Sequence, residues 1–299
     1  MAASKAVGSA MAPAAQEMVR ADLGAMRGVV VRQDTQLLES LASAAGLPYE
    51  ARNRYRLSPL PKDAAVARAP GDPARWQPTA DDLAGLPMAL YAKEESAFLE
   101  RMLLTACGCG NLRSIKLHFY DGESNELMRI ERPFRLGGCL CCPLVSEVLS
   151  RRGEAGELVR IGRVRENFDN YPVRCVQFLC CCMGREVVEE LDAASGAFTP
   201  KYELHTNKAC CGPTNNCCGA TCLRNDMVFH VTNSADGQPA TYLQKTYAGG
   251  SDASGGLARC CCMFSNYMLE FPEEASEDQR RLLVAATMHS EYLFFDKSE

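Results

Sequence analysis

Three stretches of the sequence repeat one plan, in which two short runs of alternating apolar and polar residues flank a turn. These are IKLHFYDGESNELMRIER around Asp121-Gly122, GREVVEELDAASGAFTPKYELH around Ser195-Gly196, and DMVFHVTNSADGQPATYLQK around Asp236-Gly237. Alternation with a period of two places the apolar side chains on one face of a strand. An Asp-Gly or Ser-Gly pair between two such runs is typical of a β-hairpin. We therefore predict a mostly β fold, built as an antiparallel meander or barrel.

The last part of the chain, EEASEDQRRLLVAATMHSEYLFFDKSE, predicts a helix over residues 277–295. Ser276 and Gln279 have the spacing of a capping box at its start. Its middle is apolar on every side and must be buried. An apolar run of about seven residues covers only about 10 Å, which is too short to cross a bilayer. The helix is therefore expected in the core, through Leu282, Leu283, Val284, Phe294 and Phe295.

The first 87 residues lack the hairpin pattern and are interpreted as an N-terminal extension to one domain over residues 88–299. Residues 33–45 predict a short amphipathic helix that ends before Gly46. Residues 58–87 contain six prolines, which is typical of a linker or an extended surface chain. A segment of this composition cannot bury a core alone, so we expect it to become ordered on a protein partner.

Cysteine is unusually frequent, with 17 residues, most of them in clumps. A secreted disulfide framework is one explanation of this frequency. The odd count, the chain length and an N-terminus without the apolar core of a signal peptide argue against it. Adjacent cysteines also point apart and do not pair readily with each other. We therefore expect a reducing, cytosolic environment rather than secretion.

The formal net charge is −5, and the sequence has no basic footprint of the kind that binds nucleic acid, so no nucleic acid partner is expected. An acidic protein is not attracted to an anionic membrane by its net charge, so membrane contact requires apolar or lipid-modified groups. The motifs GxSxG, HExxH, GxGxxG and the P-loop do not occur. We expect binding or transport rather than chemical catalysis.

The stretch RSIKLHFYDGESNELMRIERPFRLGGCLCCP, residues 113–143, joins a strand pair that ends in ERPFR to clustered cysteines and a proline. The IGRV strand at residues 161–164, the cysteine cluster before DMVFHVTN, and Phe271-Pro272 ahead of a final helix ending in Phe-Phe follow in order. Together these motifs resemble the phospholipid scramblases over residues 88–299. The resemblance implies a closed antiparallel β-barrel of about twelve strands around a buried C-terminal helix, as in the tubby-like superfamily. Such a fold does not by itself determine function.

The resemblance also implies two sites. Cys139, Cys141 and Cys142 match the region that is palmitoylated in the family, and palmitate on several adjacent thiols would anchor a soluble domain to a membrane. Unmodified thiols and a metal site are the alternatives for these cysteines. The other site is a calcium loop over Met263–Glu274, in which only Ser265 and Glu274 offer suitable side-chain oxygens, so it is a weak calcium candidate.

A second cysteine cluster is a weak candidate for zinc, because thiolates are preferred zinc ligands. Its members are Cys210, Cys211, Cys217, Cys218 and Cys222. Their spacing departs from a paired CxxC pattern, so packed or surface cysteines are the alternative interpretation.

Two functions follow as hypotheses. The first is a scramblase-like protein at the cytoplasmic face of a membrane, expected to be the plasma membrane, that binds or translocates phospholipids without covalent chemistry. The second is a tubby-like barrel that serves as a binding or scaffold subunit of a larger assembly, with residues 1–87 wrapping a protein partner.

Overall fold

A computed structural model describes residues 18–33, 53–95, 104, 112–135, 142–152, 156–169, 183–207, 227–246 and 266–295. Its strands are β1 (Gly28–Gln33), β2 (Arg54–Pro59), β3 (Leu90–Glu95), β4 (Ile115–Tyr120), β5 (Glu126–Arg132), β6 (Val145–Arg151), β7 (Leu158–Glu166), β8 (Met183–Leu191), β9 (Phe198–Asn207), β10 (Met227–Asn233), β11 (Pro239–Thr246) and β12 (Asn266–Glu270). Each strand pairs with the next along the chain, and β12 pairs with β1, so the twelve strands close a barrel. The predicted fold class is confirmed, with every pairing antiparallel.

The three predicted hairpins are present as β4–β5, β8–β9 and β10–β11. β4 buries every second residue, as the alternation requires. The turns differ in the residue that adopts the left-handed backbone. Gly196 (φ 69°) and Gly237 (φ 68°) adopt it in two of them, whereas in the first it is Ser124 (φ 63°) and not Gly122.

The interior of the barrel is filled by a helix, α2 (Glu277–Ser290), which continues into a π-helical turn (Glu291–Phe295). The predicted capping box is present, because Ser276 and Gln279 each accept a hydrogen bond from the other's backbone N–H. α2 packs against β6, β7 and β8, and its residues belong to the same hydrophobic cluster as the inward side chains of the strands.

The core assignment of α2 is confirmed for Leu282, Leu283 and Val284, which are at most 1% exposed. The side chains of Phe294 and Phe295 lie outside the described part of the structure. The 14 residues of α2 span about 21 Å at 1.5 Å per residue. Within the described residues, no helix combines the length and the apolar run that a bilayer crossing requires.

Gly162 in β7 is a point of close approach between α2 and the barrel wall. A Cβ at this position would lie 2.8 Å from the Leu282 side chain and 2.2 Å from the carbonyl oxygen of Glu189 in β8. Because one of these neighbours is backbone, the wall cannot yield easily. Glycine is therefore required for the helix to sit at this depth.

The barrel begins before residue 88, since β1 and β2 lie between β12 and β3. The boundary predicted at residue 87 therefore needs correction. The run GVVVRQ shows no alternation because both of its faces are buried: Val29 and Val31 face the core, and Val30 packs outward under a covering segment. The helix predicted over residues 33–45 would begin at Gln33, which is the last residue of β1, and the remainder lies outside the described residues.

Residues 60–86 cover the outer wall of the barrel and do not form the predicted linker. They include a short helix, α1 (Ala80–Ala84). Their apolar side chains pack with those of β1 and β12 in a second hydrophobic cluster, whose buried members are Val30, Leu60, Ala64, Val66, Leu83 and Met268. Prolines are tolerated here because the segment adds no strand to the sheet, so a missing N–H group breaks no ladder.

Arg280, in the first turn of α2, ties the N-terminal segment to the helix. Its guanidinium donates to the carbonyl oxygens of Leu23 (3.0 Å), Gly24 (2.7 Å), Met26 (2.7 Å) and Ala275 (3.0 Å). The side chain is 9% exposed. With a longer bond to the carbonyl of Glu273 (3.4 Å), charge-assisted hydrogen bonds to five carbonyls satisfy the buried guanidinium and hold residues 23–26 across this end of the barrel.

Candidate functional site

The antiparallel order gives the barrel two unlike ends. At the turn end, where α2 begins, the strands are joined by residues 60–89, 121–125, 152–157, 192–197 and 234–238. At the opposite end, where α2 finishes, they are joined by residues 34–53, 96–114, 133–144, 167–182, 208–226 and 247–265. Five of these six segments contain all 17 cysteines of the chain. We call it the cysteine end, because the segments that connect strands at this end contain the cysteines of the sequence.

The segment that carries the candidate acylated cysteines is anchored at both of its described ends. Arg135 donates a hydrogen bond from its guanidinium to the carbonyl oxygen of Pro143 (3.0 Å), which ties together the two sides of residues 136–142. Cys142 is half-buried three residues before β6, while Cys139 and Cys141 lie outside the described residues. Phe134, beside Arg135, is 45% exposed.

The candidate metal residues are mostly outside the described part. All five cysteines of the weak zinc candidate, Cys210 to Cys222, are outside it, and so is Ser265 of the weak calcium candidate. Glu274 lies exposed in the turn that precedes α2. Among the described residues, no three histidine, cysteine or acidic side chains stand close enough to hold a metal ion.

Ionisable side chains surround the end of α2 inside the barrel, near the cysteine end. All are at most 6% exposed. This interior cluster consists of Glu94, Arg113, Arg132, Glu166, Glu186, Lys245, His289 and Glu291. A buried charge is expensive unless it is paired and hydrogen-bonded, so the cluster depends on its internal contacts.

The last two residues of α2 and the first two of the π-helical turn each form a hydrogen bond with a different strand. The pairs are His289 with Ser146 of β6 (2.7 Å), Ser290 with Glu186 of β8 (2.7 Å), Glu291 with Lys245 of β11 (3.2 Å) and Tyr292 with Glu94 of β3 (3.0 Å). The hydroxyl of Tyr267 in β12 also donates to Glu291. The guanidinium carbon of Arg113 lies 5.4 Å from the ring centre of Tyr292. The end of the helix is thereby fixed to opposite sides of the barrel at once.

Glu186 is a member of the interior cluster whose charged form is disfavoured. Burial raises the pKa of its carboxyl to about 8, and the nearby Glu166 carboxylate adds to the effect, while the Ser290 hydrogen bond and Arg132 oppose it. Its Oε2 atom has no hydrogen-bond partner among the described residues. The carboxyl is therefore neutral at pH 7, so three formal carboxylates of the cluster face three formal cations.

His289 is neutral as well. Burial, with Arg132 nearby, lowers the pKa of its imidazole to about 3. Nδ1 contacts the Ser146 hydroxyl, and Nε2 has no hydrogen-bond partner among the described residues. The end of the helix is thus held by two ionisable side chains that are accommodated in their uncharged forms.

Sequence reasoning did not find the interior cluster, although a signal was present. In LYAKEE the alternation of buried and exposed positions puts Glu94 on the inward face. An acidic residue in such a run is ordinarily assigned to the surface, because a glutamate is rarely buried unless it has a partner. The partners of Glu94 include the guanidinium of Arg113 (3.2 Å), the amide of Asn53 (2.8 Å) and the hydroxyl of Tyr292 (3.0 Å). Tyr292 is 198 residues away in sequence, so that contact has no local sequence signal.

The two features of this end support different chemistry. The interior cluster lies beneath the end of α2, so its protonation acts on the stability of the closed barrel. The connecting segments carry the thiols, which are the groups available for covalent modification. Comparisons of the chain with protein-family models, with curated proteins and with solved structures find no match.

Proposed function

We propose that the protein associates with membranes through its cysteine end and binds or translocates phospholipids in the manner of a scramblase, without covalent chemistry on the lipid. The observation that carries the proposal is that every cysteine-bearing segment connects two strands at the same end of the barrel. Acyl chains on thiols in different segments would point toward one membrane surface rather than in opposed directions.

The energetics of acylation favour a cluster over a single site. Each buried methylene contributes about 0.8 kcal/mol, and one acyl chain gives only marginal, reversible membrane binding. Two or more chains at one end would hold the barrel firmly. Palmitate on Cys139, Cys141 and Cys142 is therefore the proposed modification, and the cytoplasmic face of the plasma membrane is the proposed location.

Phe134 supports the same orientation. It is one of few large hydrophobic side chains in the described residues that face solvent. Only Arg135 separates it from residues 136–142, the segment that carries Cys139. Aromatic residues are favoured at the boundary between water and hydrocarbon. An exposed phenylalanine beside the proposed acylation sites would add to the membrane contact.

The buried position of α2 sets a limit on the mechanism. The helix is enclosed by the barrel, so in the closed state lipid contacts only the outer surface and the attached acyl chains. Translocation along α2 would require the barrel to open.

Acylation is tested by hydroxylamine-sensitive labelling of the full chain expressed in cells. The wild type should be labelled and recovered with membranes. Replacing Cys139, Cys141 and Cys142 by serine should remove most of the label and shift the protein to the soluble fraction. Replacing Cys180, Cys181 and Cys182 instead is the matched control. Absence of label from the wild type would overturn the anchoring proposal.

Lipid movement is tested separately with purified protein in asymmetric vesicles that carry a labelled phospholipid. The assay is run with and without calcium, because Ser265 and Glu274 leave a calcium role as a proposal only. If vesicles with the protein exchange lipid no faster than protein-free vesicles, with or without calcium, translocation is excluded. Lipid binding would then be the remaining function.

The scaffold alternative is less favoured, because part of the segment on which it depends belongs to the barrel. It rested on residues 1–87 as a segment that becomes ordered on a partner. In the described part of that segment, β1 and β2 belong to the barrel and residues 60–86 cover it. We do not carry the alternative further.

A further inference from the structure

A groove of about 400 Å3 opens on the outer wall of the barrel toward the turn end. Tyr91 of β3 and Tyr120 of β4 line it as direct cross-strand neighbours on the outward face. Met18 and Met88 also line it, and they are joined by a bridge in which the N–H of Val19 donates to the carbonyl of Met88 (2.9 Å). The volume falls within the range of about 300–1,000 Å3 that is usual for small-molecule sites.

The apolar part of the groove suits alkyl groups on a cation. Met18 is 37% exposed, so part of its side chain lies in solvent beside the groove. Two tyrosine rings side by side present faces that attract an alkylammonium group, and methionine side chains adapt to its methyl or methylene groups.

Two cations lie on one side of the tyrosine pair. Lys93 lines the groove two residues beyond Tyr91 on the same face of β3, and its cross-strand neighbour in β2 is Arg54. Neither cation forms an ion pair within the described residues, and Nε of Arg54 is buried without a hydrogen-bond partner there. Like charges directly opposite each other on a sheet destabilise it, so an anion bound between them would relieve the repulsion.

The other side is negatively charged. Asp121 lines the groove directly after Tyr120. Partial burial opposes its ionisation, but the backbone N–H groups of Asn125 (2.8 Å) and Glu123 (2.9 Å) donate to its carboxylate and hold its pKa below the usual range. Lys93 lies two residues from Tyr91, and Asp121 lies one residue from Tyr120 in the opposite direction along the sheet. The two charged residues are therefore separated by about three residue steps, or about 10 Å, along the strand direction.

We infer that this groove binds a zwitterion in which an alkylammonium is linked to a phosphate, as in phosphocholine or phosphoethanolamine. The phosphate contacts Lys93 and Arg54, and the ammonium lies against Tyr91 and Tyr120, toward Asp121. The same chemistry is offered by a lipid headgroup and by a free soluble ester. The assignment of the ligand to a lipid rests on the proposed function. The binding of a zwitterion is inferred from the residues at the groove and does not depend on that function.

The test is calorimetric titration of the full-length protein with phosphocholine in the absence of membranes. Phosphocholine should bind, and choline and inorganic phosphate should each bind at least about fivefold more weakly, because each half offers only one of the two charges. Equal affinity for phosphocholine and for inorganic phosphate would overturn the inference, since it would indicate charge attraction alone.

Variants assign the binding to the groove. Lys93→Met and Tyr120→Leu should each weaken phosphocholine binding by about fivefold or more, and Tyr91→Leu should act in the same direction. Lys116→Met, which removes an exposed cation one strand away and outside the groove lining, should leave binding unchanged. Unchanged thermal unfolding confirms that each variant is folded. Wild-type affinity in Lys93→Met would refute the site.

The source of the ligand is decided by a second arm with phosphatidylcholine vesicles. Recruitment that depends on Lys93 identifies a lipid headgroup, and binding of soluble phosphocholine without such recruitment identifies a free ester; both support the groove. If the protein binds phosphocholine but is not acylated or does not exchange lipid, the proposed function fails and the groove stands. Absence of phosphocholine binding with intact lipid exchange would defeat the groove alone.

Discussion

Ser290 donates a hydrogen bond from its hydroxyl to Oε1 of Glu186 across 2.7 Å, and this contact joins the end of α2 to β8 deep inside the barrel. Both residues are at most 1% exposed. A donated hydrogen bond favours the charged form of Glu186, but burial outweighs it and raises the pKa of the carboxyl to about 8. The closure of the barrel around its helix is therefore linked to the protonation of one side chain.

Glu186→Gln should make the protein more stable than the wild type at pH 8 and leave stability nearly unchanged near pH 4.5. The pKa of Glu186 is raised from 4.5 to about 8 in the folded state, so the stability that its proton provides is present below 4.5 and is lost as the pH rises to about 8. The expected difference at pH 8 is on the order of a few kcal/mol. Urea unfolding across this pH range measures it.

His289 sets the shape of the same profile on the acid side. Its pKa is lowered from 6.5 to about 3 in the folded state, so its contribution is present above 6.5 and is lost as the pH falls toward 3. The two effects oppose each other between about pH 4.5 and 6.5, where the wild type should show little net dependence. Glu147→Gln, on a part-exposed carboxylate of β6, is the control and should leave the profile unaltered. A wild-type stability that rises from pH 6.5 to 8 would contradict this assignment.

Val284→Asp should unfold the domain in the absence of any membrane. Val284 is 0% exposed in the middle of α2, and an unpaired carboxylate there costs several kcal/mol, which is comparable with the whole stability of a domain. Circular dichroism and thermal unfolding of the purified protein measure the loss. Val159→Asp makes the same chemical change at a side chain that is 41% exposed, and it should cost about 1 kcal/mol or less. A cooperative transition at the wild-type temperature in Val284→Asp would show that α2 is not a core element.

Arg280→Lys should loosen the N-terminal segment. A lysine ammonium cannot reach the carbonyls of Leu23, Gly24 and Met26 together with that of Ala275, so the variant should lose about 2–3 kcal/mol. Trypsin should then cleave after Arg20 or Arg27 faster than in the wild type.

The neighbouring variant Arg281→Lys is the control for this prediction. Arg281 pairs with Glu277 and Asp278 on the same helix, and such pairs contribute about 0.5 kcal/mol or less. Identical cleavage rates in the two variants would mean that Arg280 does not hold the segment in solution.

Gly162→Ala should destabilise the barrel by about 1–3 kcal/mol, because the added methyl group meets the Glu189 carbonyl oxygen and the Leu282 side chain. Gly85→Ala is the matched change at the end of α1, where the nearest atom would lie at an ordinary 3.4 Å. Urea midpoints should separate the two variants clearly. Equal midpoints would show that the wall of the barrel adapts at β7.

The parts of the fold that were predictable from sequence are those set by neighbouring residues. The three hairpins, the capping box at Ser276 and Gln279, and the burial of Leu282 to Val284 each depend on a pattern within about twenty residues, and each is present. β1 was missed for a physical reason. A strand buried on both faces loses the alternation that identifies strands, and Val30 is buried only because residues 60–86 cover it.

The sequence alone determined the three hairpins, where the final helix starts and that this helix must be buried, because alternation, turn chemistry and capping act between near neighbours. The tertiary structure decided which inward glutamates meet the end of that helix, and its strand order makes every cysteine-bearing segment a connection between strands at the same end of the barrel. It also placed Lys93 and Asp121 on either side of two tyrosines. These relationships depend on strand order and register, which bring distant residues together only when the barrel closes.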